Sequence, residues 1–359
     1  MKIILSTSMS GLGGTETATL RLGALLAARG HDVLLASSDG PLRREAQAAG
    51  MRWAEIDFYG GKTAYLRGMW AFVRLLRREQ PDIVHCQMAR IVPACALAAK
   101  LVAPQCAVFY HARGLAADTY PKIAKLFARL GVYTVANCRH EQEKMIRHGF
   151  PRERIAFTYN ALLHGGSGAE KTPRGFVRLG TLSRLDKVRA VHRTLPLVSN
   201  LLSRGLDVRL HIAGTGAEEA ALRQQAQDLG IADKVDFLGA VRDLPAFFAE
   251  TDILVNTLDC PGDWGAGVGN NILEAGLFQT AVATYDVAGI REMVEDGATG
   301  RCLPLYADDA LADALAELVQ NPDLRAQYGA ALHERVTRLC SDDEIYRTTM
   351  AAYAMAGKR

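Results

Sequence analysis

Residues 252–276 read Asp-Ile-Leu-Val-Asn-Thr-Leu-Asp-Cys-Pro-Gly-Asp-Trp-Gly-Ala-Gly-Val-Gly-Asn-Asn-Ile-Leu-Glu-Ala-Gly. An apolar strand runs into a loop crowded with Gly and Asp, and a helix opens at Asn270 and Asn271. Glycines such as Gly267 and Gly269 let a backbone approach a ligand closely, and a helix start presents N–H groups and a positive dipole end to an anion. Glu274, placed on the first turn, can accept hydrogen bonds from sugar hydroxyls, as acidic residues do in ribose recognition. The segment combines a phosphate cradle with a ribose clamp. That chemistry suits a nucleotide-linked substrate.

Other stations carry chemistry of the same kind. Ser183-Arg184-Leu185-Asp186-Lys187-Val188-Arg189-Ala190 concentrates Arg184, Lys187 and Arg189 where a strand gives way to a helix. Arginine suits forked hydrogen bonding to phosphate oxygens, and the plain alternative is a solvated basic loop. His211-Ile212-Ala213-Gly214-Thr215-Gly216 is a strand with a Gly-rich turn, where Gly214 and Gly216 serve either a donor or the turn alone. His111 ends the strand Val108-Phe109-Tyr110, and in an open parallel sheet that end faces the ligand crevice. It could bond a substrate hydroxyl or a leaving phosphate, or be a hydrogen-bonded loop histidine. His85 closes another strand and is followed by an apolar region. Gly11-Leu12-Gly13-Gly14-Thr15-Glu16 resembles a dinucleotide fingerprint, but Glu16 stands where the last Gly belongs and would oppose a pyrophosphate. NAD is therefore not expected. Gly13, Gly14 and Glu16 fit a tight turn that feeds phosphate or acceptor contacts.

The elements that must position these residues alternate along the chain. Apolar runs are expected as strands at 2–5, 33–36, 83–85, 107–110, 133–136 and 155–158, and again at 176–182, 208–213, 235–238, 253–255, 281–284 and 300–303. Helical patterns lie between them, including 16–28, 65–79, 140–147, 217–229 and 310–319. Such alternation predicts an α/β protein with parallel sheets covered on both faces. The Gly-rich polar stretch His164–Pro173 reads as a linker. The expected domains are 1–164 and 165–342, with a final helix over 343–359 packing back on the first and ligand in an interdomain cleft.

Composition narrows the class. At 359 residues two domains are the default. Lys plus Arg number 42 against 39 Asp plus Glu, a balance too mild to indicate nucleic acid as a partner. The seven cysteines are scattered without ligand spacing, which argues against a disulfide framework and a zinc site. No apolar stretch reaches bilayer-spanning length, and Lys2-Ile3-Ile4-Leu5 turns polar at Ser6, so a cytoplasmic location is expected. Lys122, Lys125 and Arg129 share a face of the segment Pro121–Leu130, which fits either an ordinary surface helix or one lying on an anionic membrane.

Together these stations resemble glycosyltransferase family 4, retaining enzymes of the GT-B fold with two facing Rossmann-like domains. The resemblance spans nearly the whole chain. Gly13-Gly14-Thr15-Glu16 matches the family's first-loop Gly-Gly-x-Glu, and His111 matches its amino-domain histidine. Ser183-Arg184-Leu185 followed by Arg189 matches Gly-Arg-Leu and a basic residue, usually Lys. Gly214-Thr215-Gly216 matches its Gly-x-Gly. Asn160-Ala161-Leu162 stands where the family has Asn-Gly-Val. Glu274 matches the second Glu of a Glu-(seven residues)-Glu motif, whose first position is Ala266 here, with Asp263 the nearest upstream acid.

The resemblance implies transfer of a sugar from a nucleotide-diphosphate sugar, UDP before GDP, to a hydroxyl of a glycan or lipid-linked acceptor. Arg184 with Lys187 or Arg189 would neutralise the departing diphosphate, helped by N–H groups at Gly269 to Asn271. Glu274 would hold the ribose, and His111 would touch the donor sugar or its leaving phosphate. The donor would assist deprotonation of the acceptor, with no metal and no cofactor beyond the donor as co-substrate. Lipopolysaccharide, O-antigen or capsule synthesis at the inner membrane face is the implied setting, with peripheral membrane contact. Two other readings stay open: a catalytically impaired sugar-nucleotide-binding subunit, motivated by Ala266, and a GT-B-type sugar-nucleotide epimerase.

Overall fold

The computed structural model describes residues 1–357 except 9, 10, 12, 116, 163–170, 172, 173 and 262–266. Most of the expected linker, Asp263 and Ala266 lie outside the described residues. Contacts divide the chain into two units, Met1–Ala161 with Cys340–Arg359, and Leu162–Leu339.

In the first unit the described strands are β1 (Lys2–Ser6), β2 (Asp32–Ser37), β3 (Arg52–Glu55), β4 (Ile83–Cys86), β5 (Ala107–Ala112), β6 (Tyr133–Ala136) and β7 (Ile155–Phe157). Their order is β3-β2-β1-β4-β5-β6-β7, and every pairing is parallel. In the second unit β8 (Val177–Leu182), β9 (Val208–Ala213), β10 (Val235–Gly239), β11 (Ile253–Asn256), β12 (Ala281–Asp286) and β13 (Arg301–Pro304) form a second parallel sheet, β10-β9-β8-β11-β12-β13. Continuous apolar runs explain the central strands: Ile3, Ile4 and Leu5 are fully buried, as a sheet covered on both faces requires. Both sheets reverse direction at their first strand, between β1 and β4 and between β8 and β11. In open α/β sheets ligands bind at such switch points, beyond the carboxyl ends of the strands.

Two expectations need correction in this frame. The strand β3 has the polar sequence Arg-Trp-Ala-Glu and was not expected. It is an edge strand, held by β2 and by Arg52, whose guanidinium bonds Asp32 at 2.9 Å and Glu79 at 2.8 Å. His111 does not end its strand, because β5 continues through Ala112 in register with β6.

Helix Gly61–Glu79 packs against helix Val92–Val102, which in turn packs against helix Tyr120–Leu130. Helix Gly14–Ala28 packs instead with Pro41–Ala48 and with the late helix Asp342–Ala354. Ser341 caps that last helix by accepting from the Glu344 N–H at 3.2 Å, and Asp342 to Glu344 place acid at its positive end. Tyr346 reaches His31 at 3.0 Å, Thr348 reaches Thr158 at 2.7 Å and Tyr353 reaches His85 at 2.8 Å. The helix is thereby tied to parts of the first unit far away in sequence.

Candidate active site

In the first unit a polar cluster gathers at the carboxyl ends of β1, β4 and β5. Gln87 follows β4, and its N–H donates to Ser6 O at the end of β1 at 2.8 Å. The Arg113 guanidinium, one residue beyond β5, donates to Gln87 Oε1 at 2.7 Å and to Asn160 Oδ1 at 2.9 Å. Burial draws Arg113 down to about 10, while the charge of Glu16 works against that shift. Glu16 is buried near the start of its helix, and its carboxylate lies back over Gly13, 2.7 Å from where a Cβ would sit there. Of the expected first-loop residues, Glu16 is thus brought into the field of Arg113. Arg113 and Gln87 had no assigned role in the sequence reading. The available signal was Arg113's position two residues after His111 at a strand end.

His111 is buried, and its ring stacks on that of His85 with centroids 5.2 Å apart and planes 11° from parallel. The stacking follows from the sheet: β4 and β5 pair with His85 opposite Phe109, two residues before His111. His85 Nδ1 bonds the Tyr353 hydroxyl at 2.8 Å. Burial, with the nearby Arg113 charge, pushes His85 down to about 3 and holds His111 well below its ordinary value. His85 adds to the shift of His111. Both rings are therefore neutral at physiological pH. Among the described residues neither His111 nitrogen nor His85 Nε2 has a hydrogen-bond partner. Buried polar atoms of that kind are few in native proteins, and a neutral imidazole can donate at one nitrogen and accept at the other.

In the second unit, the loop after β8 is stitched to the loop after β9. Ser183 N–H donates to Ala213 O at 3.0 Å, Leu185 N–H to Thr215 O at 3.0 Å, and Glu218 N–H to Leu185 O at 3.1 Å. A Cβ at Gly214 would lie 1.8 Å from Ser183 O, and one at Gly216 would lie 2.2 Å from Leu185 O. The φ of Gly214 is 143°, in a region that L side chains rarely adopt. Both glycines thus have a packing duty that needs no ligand. They set the Arg184 segment against the neighbouring strand end.

Arg184 is largely exposed and pairs with Asp186 at 3.1 Å. Lys187 is exposed too, while Arg189 is mostly buried. Burial lowers the Arg189 pKa, Asp186 opposes that shift and Arg184 reinforces it. Asp186 also accepts from the Arg189 N–H at 3.0 Å, a short-range turn that fixes the loop. The loop is fastened to the segment after β11 by Asp259 N–H donating to Val188 O at 2.9 Å and by Thr257 Oγ1 donating to Ala190 O at 3.0 Å.

The segment after β11 leads to helix Asn270–Leu277, with Gly269 as its N-cap. Gly267, Gly269, Asn270 and Asn271 therefore surround the helix start. Asn271 Nδ2 donates to Asn256 Oδ1 at 3.4 Å, and Asn256 Nδ2 donates to Thr284 Oγ1 at 3.1 Å, tying the helix to the ends of β11 and β12. Glu274 is buried, but it is the fifth residue of the helix and lies just past the first turn rather than on it. A turn takes 3.6 residues, so the helix beginning at Asn270 leaves Glu274 one step beyond. The cationic loop and this helix start hang on β8 and β11, the adjacent strands of the second switch point. Among the described residues no group of three or more His, Cys, Asp or Glu could hold a metal ion.

Comparison with known proteins bears on the family and the fold. The family model described as Glycosyl transferase 4-like domain matches residues 13–161, and Glycosyl transferases group 1 matches residues 170–335. Phosphatidyl-myo-inositol mannosyltransferase of Mycolicibacterium smegmatis is 35% identical over 158 residues, 44% of this chain and 40% of that protein. That match spans well under two thirds of the relative's length, as does a 34% identical one to the Mycobacterium leprae protein of the same name, of which 44% is covered. N-acetyl-alpha-D-glucosaminyl L-malate synthase of Bacillus anthracis is 24% identical over 92% of this chain and 91% of its own. The crystal structure of Anabaena Alr3699/HepE in complex with UDP and glucose superposes with a TM-score of 0.86 at 18% identity, covering 99% of each chain. At that identity the likeness shows the fold, which is GT-B.

Proposed function

Because the chain belongs to the glycosyltransferases with an amino-terminal 4-like domain and a carboxy-terminal group 1 domain, we propose that it moves a sugar from a nucleotide-diphosphate sugar to a hydroxyl acceptor with retention at the anomeric carbon. The observation that carries this reading is the second switch point. There the Arg184–Arg189 loop, the helix start at Gly269–Asn271 and buried Glu274 all hang on adjacent strands.

As the bond from the anomeric carbon to the diphosphate breaks, negative charge grows on the phosphate oxygens. Arg184 and Lys187, exposed on the loop, and Arg189 beneath them stabilise that charge, and the helix dipole adds to the effect. Preorganised charge of this sort can do the work of a divalent ion. The acceptor oxygen bonds to the anomeric carbon on the face the diphosphate leaves, and its proton passes to the departing phosphate. Glu274 accepts from the ribose hydroxyls. His111, held neutral, is suited to a hydrogen bond with a sugar hydroxyl or the leaving phosphate without adding a charge. Gly13, Gly14 and Glu16 are assigned to the acceptor side.

UDP is the preferred nucleotide, since HepE is seen with UDP and with UDP-glucose. GDP comes next, because a 32% identical relative from Mycobacterium tuberculosis is a GDP-mannose-dependent mannosyltransferase. A glycan or lipid-linked acceptor in lipopolysaccharide, O-antigen or capsule synthesis completes the reading, with the protein peripheral on the inner membrane face. Among the described residues no helix is long and apolar enough to cross a membrane.

Thermal unfolding with UDP, GDP, ADP and CMP tests the donor assignment, each ligand also tried on Glu274→Ala. A nucleotide at a hundred times its Kd stabilises the native state by about 2.7 kcal/mol. One nucleotide shifting the parent but not the variant supports the reading, and no shift with any of them defeats it. A second reading, a sugar-nucleotide-binding subunit, is motivated by Ala266. Nucleotide binding without donor turnover on any acceptor would favour it.

A further inference from the structure

The exposed surface of the first unit is uneven in both charge and polarity. In helices Gly61–Glu79, Val92–Val102 and Tyr120–Leu130 every Lys and Arg is exposed. Their only acidic residue is Glu79, which is buried and bound by Lys2, Arg52 and Arg78. Asp118, two residues ahead of the last helix, is the nearest acid before it in sequence. The same three helices carry five of the molecule's exposed large apolar side chains: Leu66 at 51%, Trp70 at 53%, Leu97 at 51%, Leu101 at 63% and Leu126 at 41%. A chain with net charge +3 thus places an almost purely cationic and apolar surface on one run of adjoining helices.

The helices that carry these residues adjoin one another in space. The carboxyl ends of the three helices are linked, with Gln80 Nε2 donating to Val102 O at 3.2 Å and Lys100 Nζ donating to Arg129 O at 3.3 Å. Leu97 and Leu101 lie one turn apart on their helix, so they share its solvent face. Complementing helix dipoles would account for Arg77, Arg78, Lys100 and Arg129, which sit in last turns. It does not account for Lys122 and Lys125, which lie early in their helix, or for the leucines. Single exposed leucines need no explanation, but several of them on adjoining helices whose exposed charges share one sign do.

We infer that the solvent face of these three helices docks on an anionic lipid bilayer, with Leu97, Leu101 and Leu126 entering the headgroup region and Lys100, Lys122, Lys125 and Arg129 meeting lipid phosphates. An all-cationic surface complements such a membrane, and apolar side chains among the cations give it a phase to enter. For its purpose the inference rests on the lipid-linked acceptor reading, because it would hold the protein where such an acceptor is found. Its evidence is separate from the donor site.

Co-sedimentation of the full chain with vesicles tests it, using phosphatidylcholine alone and equal parts phosphatidylcholine and phosphatidylglycerol. Binding is expected only to the mixed vesicles and should weaken as salt is raised. Each cation near an anionic surface contributes about fivefold, so Lys122→Glu, Lys125→Glu and Arg129→Glu combined should lower binding by about a hundredfold or more. Leu97→Ser with Leu101→Ser should remove the part of the binding that survives high salt. The parent's thermal shift with nucleotide, retained in both variants, shows that they fold. No binding to mixed vesicles, equal binding to both kinds, or full binding by the charge-reversed variant overturns the inference. So does self-association abolished by the leucine changes without lipid binding. Vesicle binding without a nucleotide shift would instead strike the donor reading and leave this one standing.

Discussion

The two switch points have the same strand order but handle charge in opposite ways. At the first, between β1 and β4, the ionisable groups are buried or half-buried: two stacked neutral histidines and an Arg113 held by Gln87 and Asn160. At the second, between β8 and β11, Arg184 and Lys187 are exposed and the loop carboxylate of Asp186 pairs with Arg184. A buried imidazole is cheaper to keep neutral than charged, so the first cluster is suited to directed hydrogen bonds. An exposed guanidinium keeps its charge, so the second cluster is suited to Coulomb attraction, which strengthens wherever water is excluded. The same topology therefore supports two kinds of site. What separates them is where the polar residues fall relative to the strand ends.

The largest expected effect would break the second site alone. Arg184→Ala should reduce turnover by about a hundred- to a thousandfold, measured as product formed at saturating donor. Its melting temperature should stay near the parent's, because the side chain is exposed. A normal rate in that variant would remove the loop from the mechanism. Next, Gly214→Ala should destabilise the chain by about 2–3 kcal/mol, read by urea unfolding, since the new methyl group meets the Ser183 carbonyl.

The buried histidines give the fold a pH dependence. Both fold as neutral rings, whereas in the unfolded chain they take up a proton near their ordinary value of 6.5. The unfolded state therefore binds more protons below that pH, and stability falls as pH falls. The loss begins near 6.5 and for His85 continues towards about 3. At pH 5 the His85 ring should cost about 2 kcal/mol, and His111 acts in the same direction. His111→Phe should flatten this slope in unfolding curves taken between pH 7 and pH 5, and an unchanged slope would show that the ring is not buried neutral. The smallest effect belongs to Tyr353→Phe, which keeps the ring packing and removes one buried hydrogen bond, about 1 kcal/mol. A melting-temperature difference of a few degrees checks it.

Much of this comparison was legible in the residues. Strands buried on both faces must be apolar throughout, so runs such as Ile3–Leu5 and Ile253–Val255 announced themselves. The loops at their ends announced themselves by glycine and charge. The edge strand β3 did not, because half of it faces solvent and its sequence carries no apolar run. Glu274 was assigned to the correct helix and the wrong turn, because a residue's register depends on where the cap falls, and Gly269 takes that place with no side-chain bond. The packing duty of Gly214 and Gly216 was hidden for another reason. It depends on the carbonyls of Ser183 and Leu185, across two loops that a linear reading keeps apart.

The hydrogen bond from His85 to Tyr353 closes a span of 268 residues, and the whole second unit lies within that span. The first unit is therefore written in two pieces, while the second is continuous. On a ribosome the strands β1 to β7 emerge before the second unit, yet the helix that packs on His85 emerges after it. The continuous unit can complete its contacts while the first still waits for residues 340–359. The usual order of synthesis, amino-terminal domain finished first, is thereby inverted. Closing so long a loop costs little more entropy than closing one half its length. The consequence lies in timing: during synthesis the side of His85 that meets Tyr353 stays uncovered until helix Asp342–Ala354 docks.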